Sequence, residues 1–133
     1  MILVDTSVWV EFFSSSPREA GNELRRLIGD AEPVVLTGIV VAEILQGLRR
    51  HLARVEHYLS LFDRIEPRGF ATFREAAAIY GSARAKGVTL TTIDTLIAAI
   101  AREHSATVFT LDRDFERLAR IIRLPLHSFS ASP

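Results

Sequence analysis

Short runs of apolar residues alternate along the chain with longer stretches whose apolar residues recur at helical spacing. The runs at 2–4, 33–36 and 107–111 show no alternation with polar residues, which is typical of strands buried on both faces of a parallel sheet. A further short strand is predicted at 64–67. Strands that alternate with helices indicate an α/β sandwich around a mainly parallel sheet. Helices are predicted at 8–13, 19–31 with Pro17 near the first turn, 37–50, 51–63, 70–87, 91–104 and 113–121.

The composition of the chain limits the number of domains and the kinds of chemistry that are possible. The chain has 133 residues and shows no internal repeat, so one domain spanning 1–133 is expected, with a polar tail, SFSASP, at its end. It has no cysteine, which excludes zinc-thiolate sites and thiol catalysis. No basic leader and no run of about 18 apolar residues is present, so we expect a cytoplasmic protein without a membrane partner. Acidic and basic residues balance at 16 each, and charge alone therefore predicts no nucleic-acid partner.

Several carboxylates stand where a predicted strand gives way to a helix. Asp5 follows the first apolar run, and Asp112 follows the last, with Asp114 two residues later. Each of them has a plain interpretation as a cap or as an acid in the first turn of a helix. Thr91 and Asp94 likewise match a capping box. Taken singly, these residues do not distinguish helix capping from chemistry.

Two further observations bear on the acids inside helices. The residues four and seven positions after Asp94 are Ala98 and Ala101, so we expect that face to leave room for a ligand. Glu43 lies in the middle of a helix and points away from the apolar stripe of that helix. It is either a solvated glutamate, a neighbour of Arg50, or part of a site.

The acids share a position in the predicted fold. In a parallel α/β sheet the carboxyl ends of all strands open on one edge, where ligands bind. Asp5 and Asp112 are both expected at that edge, together with the start of the helix that carries Asp94. Clustered carboxylates repel one another unless a cation neutralises them, and oxygen ligands without His or Cys favour Mg²⁺, or Mn²⁺, over zinc.

Four blocks of the sequence together resemble the PIN-domain family. They are DTSVWVEFF at the start, VVAEILQGL around Glu43, IDTLIAAIA around Asp94 and VFTLDRDFERLA around Asp112. The blocks occur in the order of the family, and the likeness is strongest to the VapC-type toxins of bacterial toxin-antitoxin pairs. This resemblance implies a three-layer α/β/α sandwich, magnesium-dependent endoribonuclease activity, inhibition by a cognate VapB-like antitoxin, and a homodimer.

The resemblance also implies roles for individual residues. It assigns catalysis to four acids, of which three would hold the metal, while Glu43 would orient the attacking water, accept its proton or help to hold a second ion. It adds a hydroxyl beside the first acid and one supplementary acid. The catalytic acids are Asp5, Glu43, Asp94 and Asp112; the metal ligands are Asp5, Asp94 and Asp112; the supporting residues are Thr6, Ser7 and Asp114.

Basic residues near these blocks are candidates for contact with RNA phosphates, although a solvated helix face explains each of them as well. The candidates are Arg49, Arg50, Arg84, Lys86 and Arg113. Trp9, Phe12 and Phe13 are spaced for a helix that faces the core or a partner rather than for stacking on bases. The apolar helices between 39 and 63 fit an antitoxin groove, a dimer surface or the core.

Alternative functions also remain open at this stage. The strand followed by Asp112-x-Asp114 is similar to the haloacid-dehalogenase phosphatases, in which the first Asp is a nucleophile, but Phe115 and Glu116 depart from their pattern. A phospho-receiver domain needs a lysine after a late strand, and Lys86, the only lysine, ends a helix. A PIN scaffold that only binds a partner is the non-enzymatic alternative, and the complete acid set argues against it.

Overall fold

Four parallel strands form the sheet of a computed structural model that describes residues 1–16 and 18–129. In sheet order β3-β2-β1-β4 the strands are β1 (Ile2–Val4), β2 (Val34–Leu36), β3 (Asp63–Arg64) and β4 (Thr107–Phe109). β1 thus occupies the centre, with β2 and β4 on either side of it. Pro17 and residues 130–133 of the predicted polar tail lie outside the described residues.

Strands β1 and β4 are buried on both faces. Successive residues Leu3 and Val4 of β1, and Val108 and Phe109 of β4, have no exposed surface. Because successive side chains of a strand point to opposite faces, both faces of the sheet must be covered here. Fully burying a side chain of this kind contributes roughly 1.5–3 kcal/mol, so these apolar runs favour the pairing of β1 with β4 inside the molecule.

Within the residues that the structure describes, seven helices cover the sheet. One group packs α1 against α2 and α3, and α3 against α4, while α5 packs along α6. The predicted α/β sandwich around a parallel sheet is therefore confirmed. The helices are α1 (Thr6–Phe12), α2 (Glu19–Gly29), α3 (Gly38–Gln46), α4 (Leu52–Leu59), α5 (Phe70–Ala85), α6 (Thr92–Glu103) and α7 (Arg113–Ala119). None of them, among the residues described, is both long and apolar enough to cross a membrane.

Some predicted boundaries were wrong. The helix predicted over 37–50 ends at Gln46, because Gly47 closes it and His51 takes the left-handed conformation (φ 59°) that begins α4. The strand predicted at 64–67 is displaced to Asp63–Arg64 and shortened. In the helix the apolar pattern runs on past Gly47 to Leu48, so periodicity alone does not mark its end.

The aromatic residues of α1 belong to the core, as their spacing indicated. Trp9 has no exposed surface and its ring contacts the rings of Phe12, Phe13 and Phe62. Tyr58 stacks on Phe12, with 5.8 Å between ring centroids. This cluster joins α1 to α4 and to the segment before β3, and it leaves Trp9 no face on which a base could stack.

The C-terminal segment adds a parallel bridge beside β4 that the sequence pattern did not predict. Val108 donates from its N–H to the Pro125 carbonyl at 2.9 Å, and His127 donates from its N–H to the Val108 carbonyl at 2.8 Å. The His127 ring reaches Glu23 on α2 at 2.6 Å. Arg26 also pairs with Glu23, and its hydrogen bond is the main cause that lowers the pKa of Glu23. The segment is thereby fastened to both the sheet and a helix.

The strand order places a topological switch point beside β1. From β1 the chain moves to β2 and β3 on one side, then returns to place β4 on the other side. In open parallel sheets a crevice forms at such a point, outside the carboxyl ends of the strands, because the connections on the two sides diverge to opposite faces. The residues directly after Val4 and Phe109 border this crevice.

Candidate active site

The ends of β1 and β4 meet at the switch point. Val4 pairs with Phe109, and the Asp5 N–H continues the ladder by donating to the Phe109 carbonyl at 2.8 Å. Asp112 lies three residues after Phe109, the last residue of β4. The predicted placement of Asp5 and Asp112 at one edge of the sheet is confirmed by this register.

Asp5 does not cap the helix that follows it. Its side chain makes no capping hydrogen bond to α1; instead Oδ2 accepts from the hydroxyls of Ser7 and Thr110, both at 2.9 Å. Only 7% of the residue is exposed. Oδ1 receives no hydrogen bond within the described part of the chain, so one oxygen of this nearly buried carboxylate is held by hydroxyls and the other is available to a ligand.

Two hydroxyls orient Asp5 because each has a second, fixed partner. Ser7 Oγ accepts from the N–H of Leu111 at 3.0 Å, and Thr110 Oγ1 accepts from the N–H of Asp112 at 3.0 Å. A hydroxyl has a single hydrogen, and here each points it at Asp5. Ser7 was predicted as a supporting residue, whereas Thr110 was missed. The sequence marks Thr110 only as a hydroxyl residue that directly follows a strand and precedes an acid by two positions.

The start of α7 carries two acids with different local partners. Asp112 caps the helix, since its Oδ1 accepts from the N–H of Asp114 at 2.9 Å. Asp114 Oδ1 is bound by Arg117 Nη1 at 2.8 Å. Even so, single carboxylate oxygens of Asp94, Asp112 and Asp114 all lie within 4.8 Å of one another. The capping interpretation of Asp112 is confirmed, and it does not exclude Asp112 from an acid cluster.

Asp94 is brought to this cluster by a capped helix. Thr91 Oγ1 accepts from the N–H of Asp94 at 3.1 Å, as the predicted capping box requires. Burial is the main cause that raises the pKa of Asp94, and the charges of Asp112 and Asp5 raise it further. Asp5 therefore lies close enough to Asp94 for their charges to interact, although it is not among the three mutually adjacent acids.

The small residues after Asp94 do not form an opening. Ala98 and Ala101 have no exposed surface and lie in the core, so the expectation that this face leaves room for a ligand was wrong. Their methyl groups instead allow α6 to pack closely against its neighbours. Access to Asp94 comes from the first turn of α6, where the helix meets the crevice.

Glu43 is held by the first residue of α1. Thr6 Oγ1 donates to Glu43 Oε1 at 2.9 Å, and the carboxylate is half-buried. The buried side of α3 consists of Val40 and Ile44, so Glu43 lies on the margin of the core and not on a fully solvated face. Because Thr6 follows Asp5 directly, this hydrogen bond ties Glu43 to the same turn that carries Asp5.

The donor set fits a hard divalent cation. Asp94, Asp112 and Asp114 each offer a carboxylate oxygen within the 4.8 Å cluster. Asp5 adds an oxygen that carries no hydrogen bond from the described residues, and no His or Cys lies in that cluster. Such all-oxygen sets suit Mg²⁺ or Mn²⁺. Burial is the main cause that raises the pKa of Asp94, and a cation there would relieve the smaller contribution that the charges of Asp112 and Asp5 make.

The predicted RNA-contact residues are all exposed and lie in three places. Arg49 and Arg50 stand between α3 and α4, and Arg84 and Lys86 stand at the end of α5, upstream of the helix that carries Asp94. Arg113 follows Asp112 directly. None of the five forms an ion pair with the residues that the structure describes, so their charge is available to a ligand.

Comparison with known proteins assigns this arrangement to a class. The family model described as "PIN domain" matches residues 2–121, and the chain therefore belongs to the PIN-domain family. Within it, the chain is of the VapC type: it is 37% identical over 134 residues to VapC ribonuclease Mb1587 of Mycobacterium bovis and to ribonuclease VapC11 of Mycobacterium tuberculosis, covering 97% of this chain and 99% of each relative. This assignment replaces the haloacid-dehalogenase interpretation of Asp112.

Solved structures agree with this assignment. FitAcB from Neisseria gonorrhoeae superimposes with a TM-score of 0.72 at 28% identity, covering 96% of this chain and 97% of that one. VapBC2 from Rickettsia felis, bound to a DNA fragment from its promoter, gives a TM-score of 0.76 at 22% identity, with 98% and 100% covered. The second likeness shows the shared fold.

The raised pKa of Asp94 predicts an unusual stability profile. A group whose pKa is raised by folding stabilises the protein fully below its unfolded pKa, and this contribution is lost as the pH rises through the folded pKa. At pH 7 in EDTA, urea unfolding of Asp94→Asn should therefore give a higher free energy of unfolding than that of the wild type. The difference should disappear below the ordinary carboxyl pKa of 3.8.

Asp63→Asn, at an exposed carboxylate of β3 outside the cluster, is the matched control and should not change the free energy of unfolding. An Asp94→Asn variant that is equally or less stable than the wild type at pH 7 would show that burial and the charges of Asp112 and Asp5 do not destabilise the ionised Asp94 carboxylate.

Proposed function

We propose that the chain is a magnesium-dependent endoribonuclease and the toxin of a type II toxin-antitoxin pair, acting as one domain in the cytoplasm. The observation that carries the proposal is the mutual approach of Asp94, Asp112 and Asp114 within 4.8 Å, beside a strand end that presents Asp5. The VapC ribonucleases named above, to which the chain is 37% identical, support RNA as the substrate.

The proposed division of roles follows from which oxygens are already in use. The cation would be held by Asp5, Asp94 and Asp112. On Asp5 the ligand would be Oδ1, because Oδ2 already accepts hydrogen bonds from two hydroxyls. Asp114 would serve as an additional or substitute ligand. When bound, the cation supplies a more acidic attacking water and offsets negative charge on the phosphate oxygens.

Glu43 is proposed as the group that orients the attacking water and accepts its proton. Thr6 holds Oε1 at 2.9 Å, so Oε2 is the oxygen left for this task. A half-buried carboxylate with one oxygen fixed keeps a defined direction, which general base catalysis requires. If the water forms the new P–O bond while the bond from phosphorus to the 3′-oxygen breaks and that oxygen takes up a proton, the products carry a 5′-phosphate and a 3′-hydroxyl, as the family resemblance implies.

RNA would be held by a basic margin around an acidic centre. Arg113 follows Asp112 directly in the chain, and the exposed cations at the end of α5 and between α3 and α4 would extend the margin. A local margin suffices although the whole chain is neutral, because phosphate contacts act within about 10 Å at ordinary salt.

Cleavage of RNA by the purified protein tests this proposal. We expect cleavage of total bacterial RNA in millimolar Mg²⁺, none in EDTA, and a loss of at least about 100-fold in Asp5→Asn and Asp94→Asn. Asp63→Asn should retain the activity. End-mapping of the products should show 5′-phosphates. Equal cleavage in EDTA, or by both variants, would contradict the proposal.

The same preparations separate the alternatives. A phosphatase would hydrolyse a small phosphomonoester such as p-nitrophenyl phosphate and depend on Asp112 more than on Asp5. A scaffold that only binds partners would cleave neither substrate, even though it binds Mg²⁺.

We further propose that the protein is a homodimer restrained by a cognate VapB-like antitoxin. A groove of about 400 Å³ supports the proposal of an antitoxin partner. Its apolar surface comes from Phe13, Leu48 and Val55. Its positive charge comes from Arg50 and Arg54. This chemistry suits an apolar segment flanked by acids.

Expression in a bacterial host should arrest growth, and co-expression of the small protein encoded beside this chain should restore it. Light scattering of the protein alone should give twice the chain mass of 14.8 kDa. Growth that is unaffected by expression of an active nuclease would contradict the toxin role but not the chemistry, and a mass of 14.8 kDa would contradict the dimer.

A further inference from the structure

One arginine contacts the acid cluster directly. Arg117 Nη1 lies 2.8 Å from Asp114 Oδ1, one helical turn along α7. In the part of the chain that the structure describes, no other Lys, Arg or His forms an ion pair with any of the candidate site acids. Among the described residues, the guanidinium is thus the one cationic side chain paired with the cluster.

The position of this guanidinium matters because Asp114 belongs to two groups at once. Its carboxylate lies within 4.8 Å of oxygens of Asp94 and Asp112, and its Oδ1 also accepts from Arg117. Three neighbouring carboxylates repel one another, and a single guanidinium neutralises part of that charge. The protein therefore carries its own partial substitute for a bound cation.

The contact with Arg117 is also weak enough to exchange. The Arg117 side chain is 56% exposed and that of Asp114 is 34% exposed. Solvent-exposed pairs of this kind contribute little to stability and are screened by salt. A divalent cation carries twice the charge and is attracted by several carboxylates at once, so it can take Asp114 from the arginine.

We propose that Arg117 competes with the divalent cation for Asp114 and thereby sets the cation concentration at which the acid cluster fills. The inference rests on the proposed function, since it needs the cluster to bind a cation. Arg117 is then a positioning residue: it acts through Asp114 and raises the cation concentration that activity requires.

Removing the charge of Arg117 tests the proposal. Titration calorimetry with MgCl₂ and with MnCl₂ at low salt, without RNA, should show that Arg117→Gln binds the cation about three- to tenfold more tightly than the wild type. Arg117→Lys should stay near the wild type because it keeps the charge. The gain should shrink at about 0.5 M salt, where charge effects are screened.

Two controls isolate the contact with Asp114. Arg120→Gln removes the same charge from an exposed residue at the end of the same helix and should leave the affinity unchanged. In an Asp114→Asn background the competition no longer exists, so Arg117→Gln should gain little. Urea unfolding of each variant confirms that it is folded before the titration is interpreted.

The outcomes separate this inference from the proposed function. If the wild type binds Mg²⁺ and Arg117→Gln binds it equally or less tightly, the role of Arg117 is overturned and the metal site stands. The role is also overturned if Arg120→Gln gains as much affinity as Arg117→Gln. If no variant binds Mg²⁺ or Mn²⁺ at millimolar concentration, both the metal requirement and the role of Arg117 are overturned.

Discussion

The parallel pairing of β1 with β4 is the constraint on which the candidate site depends. The pairing joins the first residues of the chain to a strand more than one hundred positions later, and it is stabilised by apolar side chains that are fully buried on both faces. Because the strand order reverses beside β1, the loops after these two strands border one crevice. The hydroxyls of Ser7 and Thr110 then join the loops through Asp5 Oδ2.

The clustered acids that would bind a cation also lower the stability of the folded protein. Burial and the charges of Asp112 and Asp5 raise the pKa of Asp94, so the surrounding core holds these acids together against their mutual repulsion. A helix cap and an ion pair offset part of the cost: Thr91 caps the helix that carries Asp94, and Arg117 pairs with Asp114. Sites that are strained in this way by like charges gain most from a ligand of opposite charge.

Much of the fold and the acids of the site could be predicted from the sequence, since their signals are local. Unbroken apolar runs marked β1, β2 and β4, and an acid after a strand marked Asp5 and Asp112. Thr110 and Arg117 were missed because their roles depend on partners that the fold brings together, and a lone hydroxyl or arginine has no distinctive pattern. Ala98 and Ala101 were misjudged for the same reason: small side chains fit both an open face and a close contact, and only the packing distinguishes the two.

Anomalous diffraction from a crystal grown with Mn²⁺ would show whether Asp5, Asp94 and Asp112 hold a divalent cation together, as we propose. We expect an anomalous peak in the crevice between the ends of β1 and β4, about 2 Å from oxygens of these three residues, with Oδ1 as the Asp5 ligand. A crystal in which this crevice gives no peak, or in which Asp5 takes no part in binding the ion, would contradict it.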